Sequence, residues 1–183
     1  VAGVTRTRIV ALLLAGVLVA GCGGGTRLVA DPGVPGDLEA LARDLWPRFL
    51  AAFPARVACI GEVHLAVAWT LEEKAEYDPA SRTVTVRAPA TAAQLSESIV
   101  HELGHHLEFA CPSQATVRDR FRKAEGLPAA GGWFDGSRWR DVPSEHWAEA
   151  VVAYVLGGRL AHRGTVPVTE PAVAVVEAWA RDR

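Results

Sequence analysis

Two histidines four residues apart, with a glutamate directly after the first, stand in "SIVHELGHHLEFAC": His101, Glu102 and His105. The chemistry such a set offers is hydrolysis. The imidazoles can hold a metal ion, and the carboxylate can take a proton from water. With 6 histidines in 183 residues, random placement yields an H-E-x-x-H match about once in a hundred chains of this size, so the setting has to decide. A catalytic zinc commonly takes three protein ligands and keeps one position open. A histidine six residues past His105 would complete one such set, but Cys111 stands there. The other route is an acid from a later helix. "EHWAE" supplies Glu145 and Glu149, four apart and so on one helical face. Taken by themselves, the two acids also suit a solvated helix face.

These groups need a rigid frame. Thr91 and Gln94 form a T-x-x-Q capping box that predicts a helix from Ala92. Ile99, Leu103, Leu107 and Ala110 recur at helical spacing as its core-facing stripe, and Pro112 ends it. Positions i and i+4 share a face, so His101 and His105 can reach one ion, with Glu102 one step round. His106, about 100° from His105, reads as a surface residue. Upstream, Leu38, Leu41, Leu45, Phe49 and Phe53 predict an amphipathic helix that Pro47 kinks or restarts. Residues 57–69 are Val-rich and read as one or two strands, with His64 a packed or surface histidine there. Residues 75–89 read as a hairpin turning at Asp78-Pro79-Ala80-Ser81, with residues 82–87 alternating apolar and polar. Downstream, residues 113–127 read as a charged surface helix. Residues 128–143 form a long Gly-rich loop whose Trp133, Phe134 and Trp139 either wall a substrate cleft or plug the loop onto the domain. A helix carrying Glu145 and Glu149 ends at Gly157-Gly158, and a last helix tolerates Pro171 in its first turn.

HELGH followed by E-x-x-A-E resembles the gluzincins, the thermolysin-type clan of zinc metallopeptidases, and in particular their small members. The order of strands, hairpin, HExxH helix and glutamate helix resembles the clan's core over roughly residues 57–158. The resemblance implies an α+β, zincin-like fold: a small mixed sheet, the HExxH helix and the glutamate helix in one domain. It implies one zinc ion held by His101, His105 and Glu145, with Glu102 as the base that activates water. It places Glu149 behind a ligand histidine, where it would fix the tautomer. The substrate implied is a peptide or protein. No tyrosine stands at the matching place before Glu145 to hold the oxyanion, which leaves Tyr154, His146 and His162 as candidates. From chain order, the strand at residues 83–87 would offer an edge on which an extended peptide lies. A second reading keeps the scaffold without catalysis, as a lipoprotein that binds a partner or metal. The presence of Glu102 favours the enzyme, because a binder has no chemical need of it.

The rest of the chain sets the compartment. A net charge of −2, with no block of like charges, gives no footprint for nucleic acid. Arg6 and Arg8 precede an apolar run at residues 9–20, which reads as a signal segment. It ends in "LVAGC", which resembles the bacterial lipobox and implies cleavage before Cys22 with lipid on that cysteine. The expected plan is a signal peptide at 1–21, a flexible tether at 22–36 and a single peptidase domain at 37–183. The domain would be exported and lipid-anchored at the outer face of the cell membrane. Of the 3 cysteines, Cys59 and Cys111 then remain as a pair in an oxidising compartment, and a disulfide is expected.

Overall fold

The computed structural model describes residues 25–157 and 166–182. The expected signal segment, Cys22 and His162 lie outside the described residues. The fold is α+β, with a four-stranded mixed sheet and six α-helices among the described residues. None of these helices is long and apolar enough to cross a membrane.

Strand β1 (Arg27–Ala30) opens the described chain and pairs in parallel with β2 (Glu62–Ala68), Leu28 opposite Val63. The stretch expected to be a tether therefore contributes a strand, and the folded unit starts ahead of Asp37. Helix α1 (Gly36–Ala52) makes the crossover between the two strands, the connection that a parallel pair requires. Leu38, Ala42, Leu45 and Phe49 form its buried stripe, and Pro47 lies within it. Residues 57–60, expected to be strand, form a single helical turn, α2 (Val57–Ile60). Gly61, at φ +65°, breaks that turn and lets the chain enter β2.

The hairpin is present: β3 (Ala75–Asp78) pairs antiparallel with β4 (Thr83–Arg87). Asp78 organises its turn by accepting from the Ala80 N–H at 2.9 Å and the Ser81 hydroxyl at 2.6 Å. The sheet order is β1-β2-β4-β3, with β2 parallel to β4. The expectation that β4 offers an edge is therefore corrected. It lies between β2 and β3, and among the described residues the free antiparallel edge belongs to β3. Val63, Leu65, Val84 and Val86 point to one face of the sheet and are fully buried.

Helix α3 (Ala92–Ala110) carries HELGH. Its capping box forms as expected: the Thr91 hydroxyl accepts from the Gln94 N–H, and the Gln94 side chain accepts from the Thr91 N–H. Ile99, Leu103 and Leu107 are buried in the core. His106 corrects the sequence reading, being fully buried rather than on the surface. Its Nε2–H donates to the Ile60 carbonyl at 2.9 Å, and its Nδ1 accepts from the Tyr77 hydroxyl at 2.7 Å. Burial pushes its pKa down to about 4, so it acts as a neutral tie between α3, α2 and the hairpin. A second tie is covalent. Cys59 and Cys111 are disulfide-bonded, with Cα atoms 5.2 Å apart.

After a 3₁₀ turn at Pro112–Val117 comes α4 (Arg118–Glu125). It is not wholly a surface helix, since Phe121 and Arg122 are buried. Helix α5 (Pro143–Leu156) ends at Gly157, φ +76°, as its sequence predicts. Helix α6 (Glu170–Arg181) begins at Thr169, whose hydroxyl accepts from the Ala172 N–H. Trp147 of α5 is fully buried among the rings of Phe121, Trp133 and Trp179, which locks α4, α5 and α6 together.

Candidate metal centre

Helices α3 and α5 approach most closely where the glycine of HELGH lies. A Cβ at Gly104 would stand 2.9 Å from the Ala148 Cα, so only glycine permits this spacing. The close approach brings one face of α5, with Glu145 and Glu149, against the face of α3 that carries His101 and His105. Nε2 of His101 lies 3.0 Å from Oε2 of Glu145, and Nε2 of His105 lies 3.5 Å from the same oxygen. The two imidazole rings are edge-to-face, 5.0 Å between centroids. His101, His105 and Glu145 each offer one ligand atom, and these atoms all lie within 4.8 Å of one another.

A second ring of groups surrounds the triad. Behind His101, its Nδ1 faces Oε1 of Glu149 at 3.5 Å. Behind His105, its Nδ1 donates to Oε2 of Glu108 at 2.9 Å. The Glu108 side chain is fully buried. It also accepts from the Ser144 hydroxyl at 2.7 Å and from the Trp133 indole N–H at 2.5 Å. Each histidine thus turns Nε2 toward Glu145 and Nδ1 toward a carboxylate, the arrangement that orients metal-binding imidazoles and raises their basicity.

The electrostatics follow from this crowding. Burial pushes both imidazoles down, but the hydrogen-bonded carboxylates outweigh it. His101 is raised to about 9 by Glu145 and Glu149, and His105 to about 10 by Glu108 and Glu145. Burial pushes Glu145 up, yet the two histidines prevail and hold it at about 2. The site therefore gathers positive charge against a fixed carboxylate, with protons on the nitrogens that face Glu145. A divalent cation would replace those protons on the same lone pairs. Two imidazoles, one carboxylate and carboxylates behind both rings fit a metal site. Glu102 is buried beside the triad, and burial raises its carboxyl above its ordinary value against the opposing pull of His101 and His105. A carboxylate so raised accepts protons more readily at neutral pH.

His101, His105, Glu145, Glu149 and Glu102 are thus brought together. Of the oxyanion candidates, Tyr154 and His146 are not, and His162 lies outside the described residues. The Tyr154 hydroxyl donates to the Ala52 carbonyl at 3.0 Å, and its ring packs on Phe53. The His146 ring is held between Glu125 Oε1 and the Arg140 carbonyl, each at 2.9 Å, and so faces away from the triad. Of the loop aromatics, Trp133 is a plug, 7% exposed, while Phe134 and Trp139 are exposed. Trp139 lies nearly parallel to the His101 ring, 6.2 Å between centroids and 25° between planes.

Sequence reasoning missed Glu108 and Ser144, and it missed the bond from Trp133 to Glu108. Glu108 carried a signal, because i+3 from His105 places it on the neighbouring turn of the same face. Ser144 and the Trp133–Glu108 contact carried none. Compared with known proteins, the chain matches no family model, no curated protein and no solved structure.

Proposed function

We propose that the protein is a zinc-dependent peptidase of zincin-like fold, exported and lipid-anchored through Cys22. The observation that carries this reading is the convergence of His101, His105 and Glu145 with Glu102 buried beside them. Two imidazoles and one carboxylate are a donor set typical of catalytic zinc. When bound, zinc lowers the pKa of a coordinated water toward ~7 and polarises a carbonyl.

The chain's own residues do the rest. Glu102 accepts a proton from the attacking water and returns it to the leaving amine. Glu149 and Glu108 hold the imidazoles with Nε2 directed inward. The free edge of β3 suits an extended peptide, which would add as a further strand. β3 lies near the base, since Glu76 on that strand adds to the negative field that raises Glu102. The Cys59–Cys111 disulfide supports an oxidising compartment and hence export.

The test is cleavage of a peptide library by the zinc-loaded protein, its loss with chelator and its return on adding zinc. A fully zinc-loaded protein that cleaves nothing would overturn the peptidase reading in favour of a binding scaffold.

A further inference from the structure

We propose that residues 128–142, between α4 and α5, act as a metal-retention strap, with Trp133 as the positioning residue that couples the strap to His105. The inference rests on the metal-site reading above but concerns how the site keeps its ion.

The strap is fastened at its start by a single side chain. The Arg122 guanidinium, itself 7% exposed, points into the carbonyls of residues 128–132, with Gly131 at 2.9 Å and Gly132 at 2.6 Å. Among the described residues no backbone N–H donates to these carbonyls, so the Arg122 side chain supplies the donors that ordinary secondary structure would. Trp133 follows at once. Its ring is buried against Phe121 and Trp147, and the Arg118 guanidinium sits over it at 5.0 Å. Its carbonyl accepts from the Ser144 N–H at 3.1 Å, which ties it to the first turn of α5.

From that position the Trp133 indole donates to Glu108 Oε1, while Ser144 donates to Oε2. Glu108 is thereby pinned, and its Oε2, shared with the Ser144 hydroxyl, also accepts from His105 Nδ1. The far end of the strap is pinned as well, through the His146 bond to the Arg140 carbonyl. That bond holds the turn in which Trp139 stacks on the other histidine, His101. One loop thus reaches both imidazoles, His105 through Trp133 and Glu108, and His101 through Trp139. No other described loop is joined to the triad by such a chain.

Coupling of this kind is reciprocal. If the closed strap raises metal affinity by some factor, bound metal must favour the closed strap by the same factor. Arg138 and Arg140 are exposed on the strap, so trypsin reads its opening directly.

The experiment measures zinc affinity by competition with a chromophoric chelator, and tryptic cleavage after Arg138 and Arg140 with and without zinc. It uses the full chain and three variants. Trp133→Phe keeps an aromatic plug but removes the indole donor. Its zinc affinity should fall about 10–100-fold, and zinc should lose its protection of Arg138 and Arg140. Arg122→Lys keeps the charge but not the planar fork. It should loosen the strap and show the same paired losses, which keeps the test alive should Trp133→Phe fail to fold. Val176→Ala, in the core on α6, should lower thermal stability and leave both zinc readouts unchanged. A zinc-binding parent whose strap zinc does not protect, or a folded Trp133→Phe with parental affinity, would overturn the strap alone. A parent that binds no zinc would overturn the metal site and the strap together.

Discussion

Gly104 of α3 and Ala148 of α5 meet so closely that a Cβ on residue 104 would lie 2.9 Å from the Ala148 Cα. The glycine inside HELGH is thus a packing requirement of the helix pair that brings Glu145 to the histidines. Gly104→Ala must push backbone against backbone. Overpacking of this kind costs ~1–3 kcal/mol, and the displaced α5 carries Glu145 with it. Thermal melts with and without zinc should show a lower Tm and a smaller zinc-induced rise than the parent. A variant with parental zinc affinity would show that this crossing does not set the ligand spacing.

The two acids of α5 should behave differently. Glu145 faces both Nε2 atoms, whereas Glu149 faces only the outer nitrogen of His101. Glu145→Ala should nearly abolish zinc retention, and Glu149→Ala should weaken it about 10–100-fold. Zinc titrations of the two variants decide the order. The reverse order would move the ligand to Glu149.

Metal binding should release protons. Without metal, the histidines titrate at about 9 and about 10, so at pH 7 both carry a proton that the coordinating nitrogen must lose. Glu145, held at about 2, is already ionised and contributes none. The sign follows: affinity rises with pH, by about two decades per pH unit below about pH 9, and flattens once both imidazoles are neutral. Calorimetry in buffers of differing ionisation enthalpy counts the protons directly. Release of none at pH 7 would show that the imidazoles are already neutral.

The disulfide spans 52 positions of sequence. In the chain-entropy model, closing a loop of that length stabilises the fold by about 4 kcal/mol, less any native strain. The double variant Cys59→Ser, Cys111→Ser should unfold at distinctly lower denaturant concentration. Because α2 and the end of α3 are also joined through the His106–Ile60 bond, the variant should still fold. Two alkylatable thiols in protein purified without reductant would contradict the pairing.

What could be read from sequence, and what could not, divides along physical lines. The α3 helix was legible because its cap, its apolar stripe and its motif agree in register, and Thr91, Leu103 and His101 each confirm the same phase. Glu145 was legible through its four-residue spacing to Glu149. His106 was misread although it falls three residues after Leu103 and four before Ala110, on the stripe itself. Polarity argued for the surface, but Tyr77 and the Ile60 carbonyl satisfy both ring nitrogens. β1 was missed because four residues carry no usable period and a parallel partner lies a whole crossover away. Trp133 reaches Glu108 across 25 positions, a tertiary contact that leaves no local pattern.

Glu102→Gln tests the central claim most directly. The substitution nearly preserves shape but removes the base, so zinc content and fold should match the parent. Cleavage of the same peptide by the two zinc-loaded proteins is then compared at neutral pH. The account predicts equal zinc and a rate lower by at least ~10²-fold in the variant. Equal zinc with equal cleavage would contradict the assignment of Glu102 and, with it, the proposed mechanism.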